Sequence, residues 1–117
     1  MARYEHLPIY KAALDVAVYL EKAVAGFSRY HKYSIGAELR EHSRRVIKLI
    51  MLANNQSDKQ TVLLKLRGAL DELLLVVRLA KEIKAFSGFK SYQHCVIAVT
   101  QVCKQNEGWL ASLSRKN

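Results

Sequence analysis

The side chains best placed to do chemistry in this sequence are its cations. Arg40, Arg44 and Lys48 recur at i, i+4 and i+8, with Arg45 beside them. On a helix that spacing makes one positive stripe. Further along, Arg78 and Lys81 are i, i+3 neighbours, with Lys65 earlier in the same segment. Like charges at these spacings forgo about 0.2–0.5 kcal/mol per pair. So small a cost leaves two readings open, a solvated face and a surface for polyanions. Arginine dominates the centre of the stripe, which suits planar, two-pronged contact with phosphate or carboxylate. His42 can share in that face. The loop Arg29–Tyr33 interleaves Tyr30 and Tyr33 with His31 and Lys32. Rings and cations so mixed can stack on unpaired bases, although tyrosines at such a place more often close the end of a bundle.

The constellations that catalysis requires are missing from the pattern. The sequence has no glycine-rich phosphate loop, no HExxH and no defensible Ser/His/Asp order. Its histidines, His6, His31, His42 and His94, fall in separate segments. Glu38 and Glu41 near His42 do not repeat the Glu-x-x-His of di-iron bundles. Cys95 and Cys103 are eight residues apart, about 12 Å along a helix, too far to pair with each other. With no CxxC they read as buried thiols in a reducing compartment. The expectation is a protein without catalytic residues, metal ligands or cofactor, one that binds.

The segments that must carry these residues are all helical in period. A chain of 117 residues, half of them apolar, makes one domain, residues 1–117, with a single core. One proline and five glycines leave long helices uninterrupted. The first helix starts near Pro8 and shows Ile9, Ala13, Val16, Leu20, Ala23 and Phe27 at spacings of three and four. A second follows Ser34 as N-cap, with Leu39, Val46, Ile50 and Ala53, and ends at Asn54–Ser57. Ser57 and Gln60 fit a capping box that opens the third. Its inner face is Val62, Leu63, Leu66, Ala69, Leu70, Leu73, Val77, Ala80 and Ile83. Leu74, Leu75 and Val76 widen that stripe, so this helix is either central or packs on a second subunit. Gly88 breaks it. Ser91 can cap a fourth helix carrying Cys95 or Val96, Val99, Val102 or Cys103, Leu110 and Leu113. Trp109 either closes the core or sits in a subunit contact. Short connections between long helices predict an all-α, antiparallel up-down-up-down four-helix bundle.

Net charge is +9, an argument about partners rather than fold. Residues 1–28 hold three basic and three acidic groups; residues 29–48 hold six and two, and residues 59–84 six and three. The first helix is therefore neutral and the excess falls mainly on the second and third. MARYEHLPIY shows neither a long apolar run nor a cleavage signature. The longest apolar run, Leu73–Val77, is far short of the ~20 residues of a membrane span. A soluble, cytoplasmic protein with no membrane partner is expected.

The order of short motifs resembles a known family. Ile9-Tyr10-Lys11 is followed by Phe27-Ser28-Arg29, then by Leu39-Arg40 and Leu52-Ala53-Asn54. Leu70-Asp71, Val77-Arg78-Leu79-Ala80-Lys81 and Gly108-Trp109-Leu110 complete the series. From about Tyr4 to Leu113 the chain resembles the Avd family, the accessory variability determinants of diversity-generating retroelements. More loosely, it is similar to the four-helix proteins encoded in 23S rRNA intervening sequences. The resemblance implies a non-enzymatic bundle that assembles as a homopentameric barrel. It further implies binding of the retroelement's reverse transcriptase and of RNA or DNA through a basic surface, in support of mutagenic retrohoming. On that basis Arg78 matches an arginine tied to reverse-transcriptase binding, and Arg40 and Arg44 match basic positions of the second helix. Arg45, Lys48 and Lys81 extend the expected surface, and Leu74, Leu75 and Trp109 are the expected oligomer contacts. Ser28 replaces a frequent proline, and Glu107 and Cys103 replace frequent glycines, so close helix contact near Trp109 is expected to differ. A stand-alone RNA-associated or scaffolding protein of the rRNA-insert type is the alternative.

Overall fold

The computed structural model describes residues 4–116; the reading of the N-terminal decapeptide falls partly outside them. Among the described residues all regular structure is helical. A single 3₁₀ turn, Tyr4–His6, precedes α1 (Pro8–Ala25), α2 (Arg29–Tyr33), α3 (Ile35–Asn55), α4 (Lys59–Glu82) and α5 (Phe89–Lys116). The four long helices form a four-helix bundle 48 × 27 × 19 Å in extent. α3 packs between α1 and α4, and α5 closes the ring by packing on α4 and α1.

The apolar periodicity places the core correctly. Ile9, Ala13, Val16, Leu20 and Phe27 are buried, with Val24 rather than Ala23 on the inner line. In α3 the stripe of Leu39, Val46, Ile50 and Ala53 is completed by Ser43, 2% exposed, whose hydroxyl donates to the Arg40 carbonyl at 2.9 Å. Such a back-bond satisfies a serine inside an apolar face. In α5 Cys95 and Val102 point inward rather than Val96 and Cys103, and Asn106 occupies the next inner position, fully buried. Its Nδ2 donates to the Leu63 carbonyl of α4 at 3.1 Å, while Oδ1 has no partner. Each leucine sealed in this core contributes about 1.5–3 kcal/mol.

The helix ends differ from the sequence expectations. Arg29–Tyr33 is a helical turn rather than a loop. Ser34 holds the N-cap position of α3, as expected, but its side chain makes no cap bond there; the hydroxyl donates to the Tyr30 carbonyl at 2.7 Å and so finishes α2 instead. The N-cap of α4 is Asp58, not Ser57: Oδ1 accepts from the Thr61 N–H at 3.3 Å and Oδ2 from the Thr61 hydroxyl at 2.6 Å. A carboxylate completes that cap better than a hydroxyl because it also opposes the positive end of the helix dipole. Beside it, the Lys59 ammonium donates to the carbonyls of Ala53, Asn54 and Gln56 at 2.9–3.1 Å, covering the C-terminus of α3.

α4 ends before Gly88. Lys84 adopts φ 62°, the Ala85 N–H bonds to the Ala80 carbonyl and the Lys84 N–H to the Lys81 carbonyl. That is a Schellman cap with lysine in the left-handed position usually held by glycine. Ile83, expected in the core, is therefore at the cap and 40% exposed. Ser91 lies inside α5 rather than at its cap, paired with the Tyr19 hydroxyl at 2.9 Å.

Candidate nucleic-acid and partner interface

The basic stripe exists, and it faces outward. Arg40, Arg44, Arg45 and Lys48 line one open groove along α3 with Ala37 and Glu41. What the sequence did not reveal is that carboxylates flank the stripe on both sides. Glu21 of α1 takes Arg44 at 2.7 Å and lies 3.4 Å from Arg40 Nε. Glu72 of α4 lies 3.8 Å from Arg45. The apparently neutral first helix thus lends its charge to the second face. Arg44 holds the short hydrogen bond. Arg40 Nε is within ion-pair distance but off hydrogen-bonding geometry, leaving a buried N–H without an acceptor. Lys48 makes none of the ion pairs among the described residues.

Arg78 and Lys81 do not join that groove. They share Glu82, at 3.2 and 3.5 Å, on α4. The hydrogen bond from Arg78, then the nearby Lys81 charge, holds the Glu82 carboxyl below its ordinary value. Lys81 also places its ammonium 5.4 Å from the centre of the Tyr92 ring, within cation–π range. The six expected binding residues therefore divide into two sets, four on α3 and two near the C-terminal end of α4.

Of the expected oligomer contacts, Leu74 is half-buried against the core, Leu75 is 68% exposed, and Trp109 is half-buried. Trp109 shares a small apolar hollow with Leu7, Pro8, Ile9 and Gln105. Leu64 and Leu79 are also exposed on α4. Glu107, which stands where a glycine is frequent, accepts two bonds from Arg67, at 2.9 and 2.7 Å. That pairing lowers the Glu107 carboxyl and raises the Arg67 guanidinium. It joins α4 to α5 and was invisible in sequence, its partners being 40 residues apart. Gly108 itself has open space where a side chain would begin.

The cysteines are both free, Cys95 buried and Cys103 half-buried. Burial pushes the Cys95 thiol up to about 12, and burial followed by the Asp71 and Glu107 charges raises Cys103. Among the described residues no three His, Cys, Asp or Glu side chains converge as metal ligands. No helix among them is long and apolar enough to cross a membrane.

Compared with known families, residues 9–113 match the family described as bAvd-like. The match spans 105 of the 117 residues, so the resemblance carried by the spaced motifs from Ile9 to Leu110 holds. No curated protein matches the chain.

Proposed function

Because the chain belongs to the bAvd-like family, we propose that it is a non-catalytic accessory protein of a diversity-generating retroelement, binding the reverse transcriptase and nucleic acid as a homo-oligomer. The observation that carries the binding part is the α3 groove. Four cations line it against the two flanking carboxylates that pair with them, Glu21 and Glu72, and Lys48 makes none of the ion pairs among the described residues. An incoming phosphate or partner carboxylate takes up Lys48 and competes for Arg44, and such charge-assisted bonds are the strong class. Arg78, with 65% of its side chain exposed, supplies a second cationic point suited to an acidic protein surface.

Assembly has separate support. Leu64, Leu75 and Leu79 stand on the outer side of α4, away from the core of one chain. Connections of three residues between α3 and α4 and six between α4 and α5 favour alternating helix directions, the up-down-up-down order. In that order the outer faces of α4 lie free to meet other copies, and five copies is the expected number.

The test is absolute mass in solution, alone and with the retroelement's reverse transcriptase. A mass of five chains that rises by one polymerase supports the proposal; a monomer that never associates overturns it. Arg40→Gln, Arg44→Gln and Arg78→Gln combined should abolish association while leaving thermal unfolding cooperative. Nucleic-acid affinity should fall steeply with salt, each neutralised phosphate adding roughly one unit of slope on duplex.

A further inference from the structure

One end of the bundle combines exposed rings with unpaired cations. α2, the N-terminus of α3, the Ile83–Gly88 turn and the start of α5 meet there, held by Phe27 against Phe86 at 5.4 Å and by Tyr19 against Ser91 and His94. The stretches that build this end, residues 21–40 and 78–94, hold eight lysines and arginines against Glu21, Glu38 and Glu82. They thus carry +5 of the chain's +9. Among the described residues, Arg29, Lys32, Lys84 and Lys90 make none of the ion pairs, unlike the arginines of α3.

The exposed aromatics are at the same place. Tyr30 is 78% exposed, Tyr33 71% and Phe89 61%. Phe27 and Phe86, both buried, close the end of the core, so the tyrosines of α2 are not needed for that. Two of these three rings, Tyr30 and Phe89, are braced by a neighbour. Tyr30 meets His31 edge-on at 5.5 Å, and Phe89 rests 5.7 Å from Tyr92, which lies 6.1 Å from Phe86. Phe89 also lines a shallow hollow with Lys81, Lys84, Phe86 and Gly88.

We infer that this aromatic and cationic end binds unpaired nucleotides, bases stacking on Tyr30, Tyr33 and Phe89 while Lys32, Lys84 and Lys90 meet the backbone phosphates. Rings pre-set by neighbouring aromatics offer flat faces at little entropic expense, and every base has a face to stack. A duplex keeps its bases stacked on one another and cannot use them. The inference rests on the nucleic-acid reading above and deepens it, adding a ligand class and a site distinct from the α3 groove.

Titrating a short labelled oligouridylate and a duplex of equal length tests it. The full chain should prefer the single strand. Tyr30→Ala, Tyr33→Ala and Phe89→Ala should each weaken single-strand binding at least about fivefold, leaving the salt slope and thermal unfolding unchanged, and Tyr30→Phe should restore it. Lys32→Gln, Lys84→Gln and Lys90→Gln combined should flatten the slope by about 0.7 per lost phosphate contact. Equal affinity for duplex overturns the inference, as do ring variants that bind normally. Ring variants that lose the assembly mass or the polymerase, with oligonucleotide affinity intact, also overturn it by reassigning the surface to protein contact. Absence of any nucleic-acid binding would remove the broader reading too. Binding lost only on changing Arg40 and Arg44 would sink this inference alone.

Discussion

Lys84 is a lysine in a glycine's conformation. At φ 62° its Cβ crowds the following carbonyl, a strain of about 1–2 kcal/mol. Lys84→Gly should raise stability by about 0.5–1 kcal/mol and the thermal midpoint by several degrees; a lower midpoint would contradict the cap described for α4. Cys95 poses the opposite case, a reactive type made inert. With its thiol pushed up to about 12, only about one part in ten thousand is thiolate near pH 8. Ellman's reagent should therefore leave Cys95 unmodified in the native protein and release its colour on unfolding. Rapid labelling of both thiols would mean that α5 opens. These properties were only partly legible in sequence: the burial of Cys95 follows from period, whereas the positive φ of Lys84 comes from where α4 happens to stop.

Among the elements, α1 and α3 come close together at Gly36. A Cβ there would lie 2.7 Å from Val24 Cγ1 and 3.0 Å from the His31 carbonyl. Gly36→Ala should destabilise by about 1–3 kcal/mol, as overpacking does, measured by urea unfolding; Gly68→Ala, with open space around it, should stabilise instead by roughly 1 kcal/mol. Helix existence and core faces were readable because burial repeats every three to four residues, as from Leu39 to Ala53. Caps were less so, since Ser34, Ser57 and Ser91 are equally good candidates until the chain's path decides which N–H groups lack partners. The candidate site was legible along α3 for the same periodic reason. Its pairing with Glu21 and Glu72 was not, because inter-helix neighbours depend on the rotation of each helix about its axis. The exposed rings of α2 were hidden by a sound general rule, that tyrosines close bundles; here Phe27 and Phe86 occupy that place.

Taken as a whole, the molecule is an electrostatic compromise. Asp58, Glu82 and Glu107 all have carboxyls held below their ordinary values, by Thr61, by Arg78 with Lys81, and by Arg67 respectively. A depressed folded value means stability that is present above the ordinary values, 3.8 for Asp58 and 4.5 for the glutamates. It is lost as pH falls through the lower folded ones. Full protonation also takes the net charge from +9 to +23, since 19 lysines and arginines and four histidines then stand alone. Urea midpoints should drop below about pH 4, with Glu107→Gln showing a shallower decline, and added salt should recover part of the loss by screening. An acid-insensitive midpoint would deny these pairs a role. Asn106 carries a different consequence. Its amide is sealed between α4 and α5 and has one satisfied bond, to the Leu63 carbonyl. Slide α5 along α4 by half a turn, about 2.7 Å, and the amide nitrogen leaves the Leu63 carbonyl while the side chain stays buried. Leucine-on-leucine packing tolerates such slippage; a lone amide does not. The two helices are thereby indexed like a key in a lock tumbler, and any partner would meet one fixed arrangement of surface charges rather than several sliding ones.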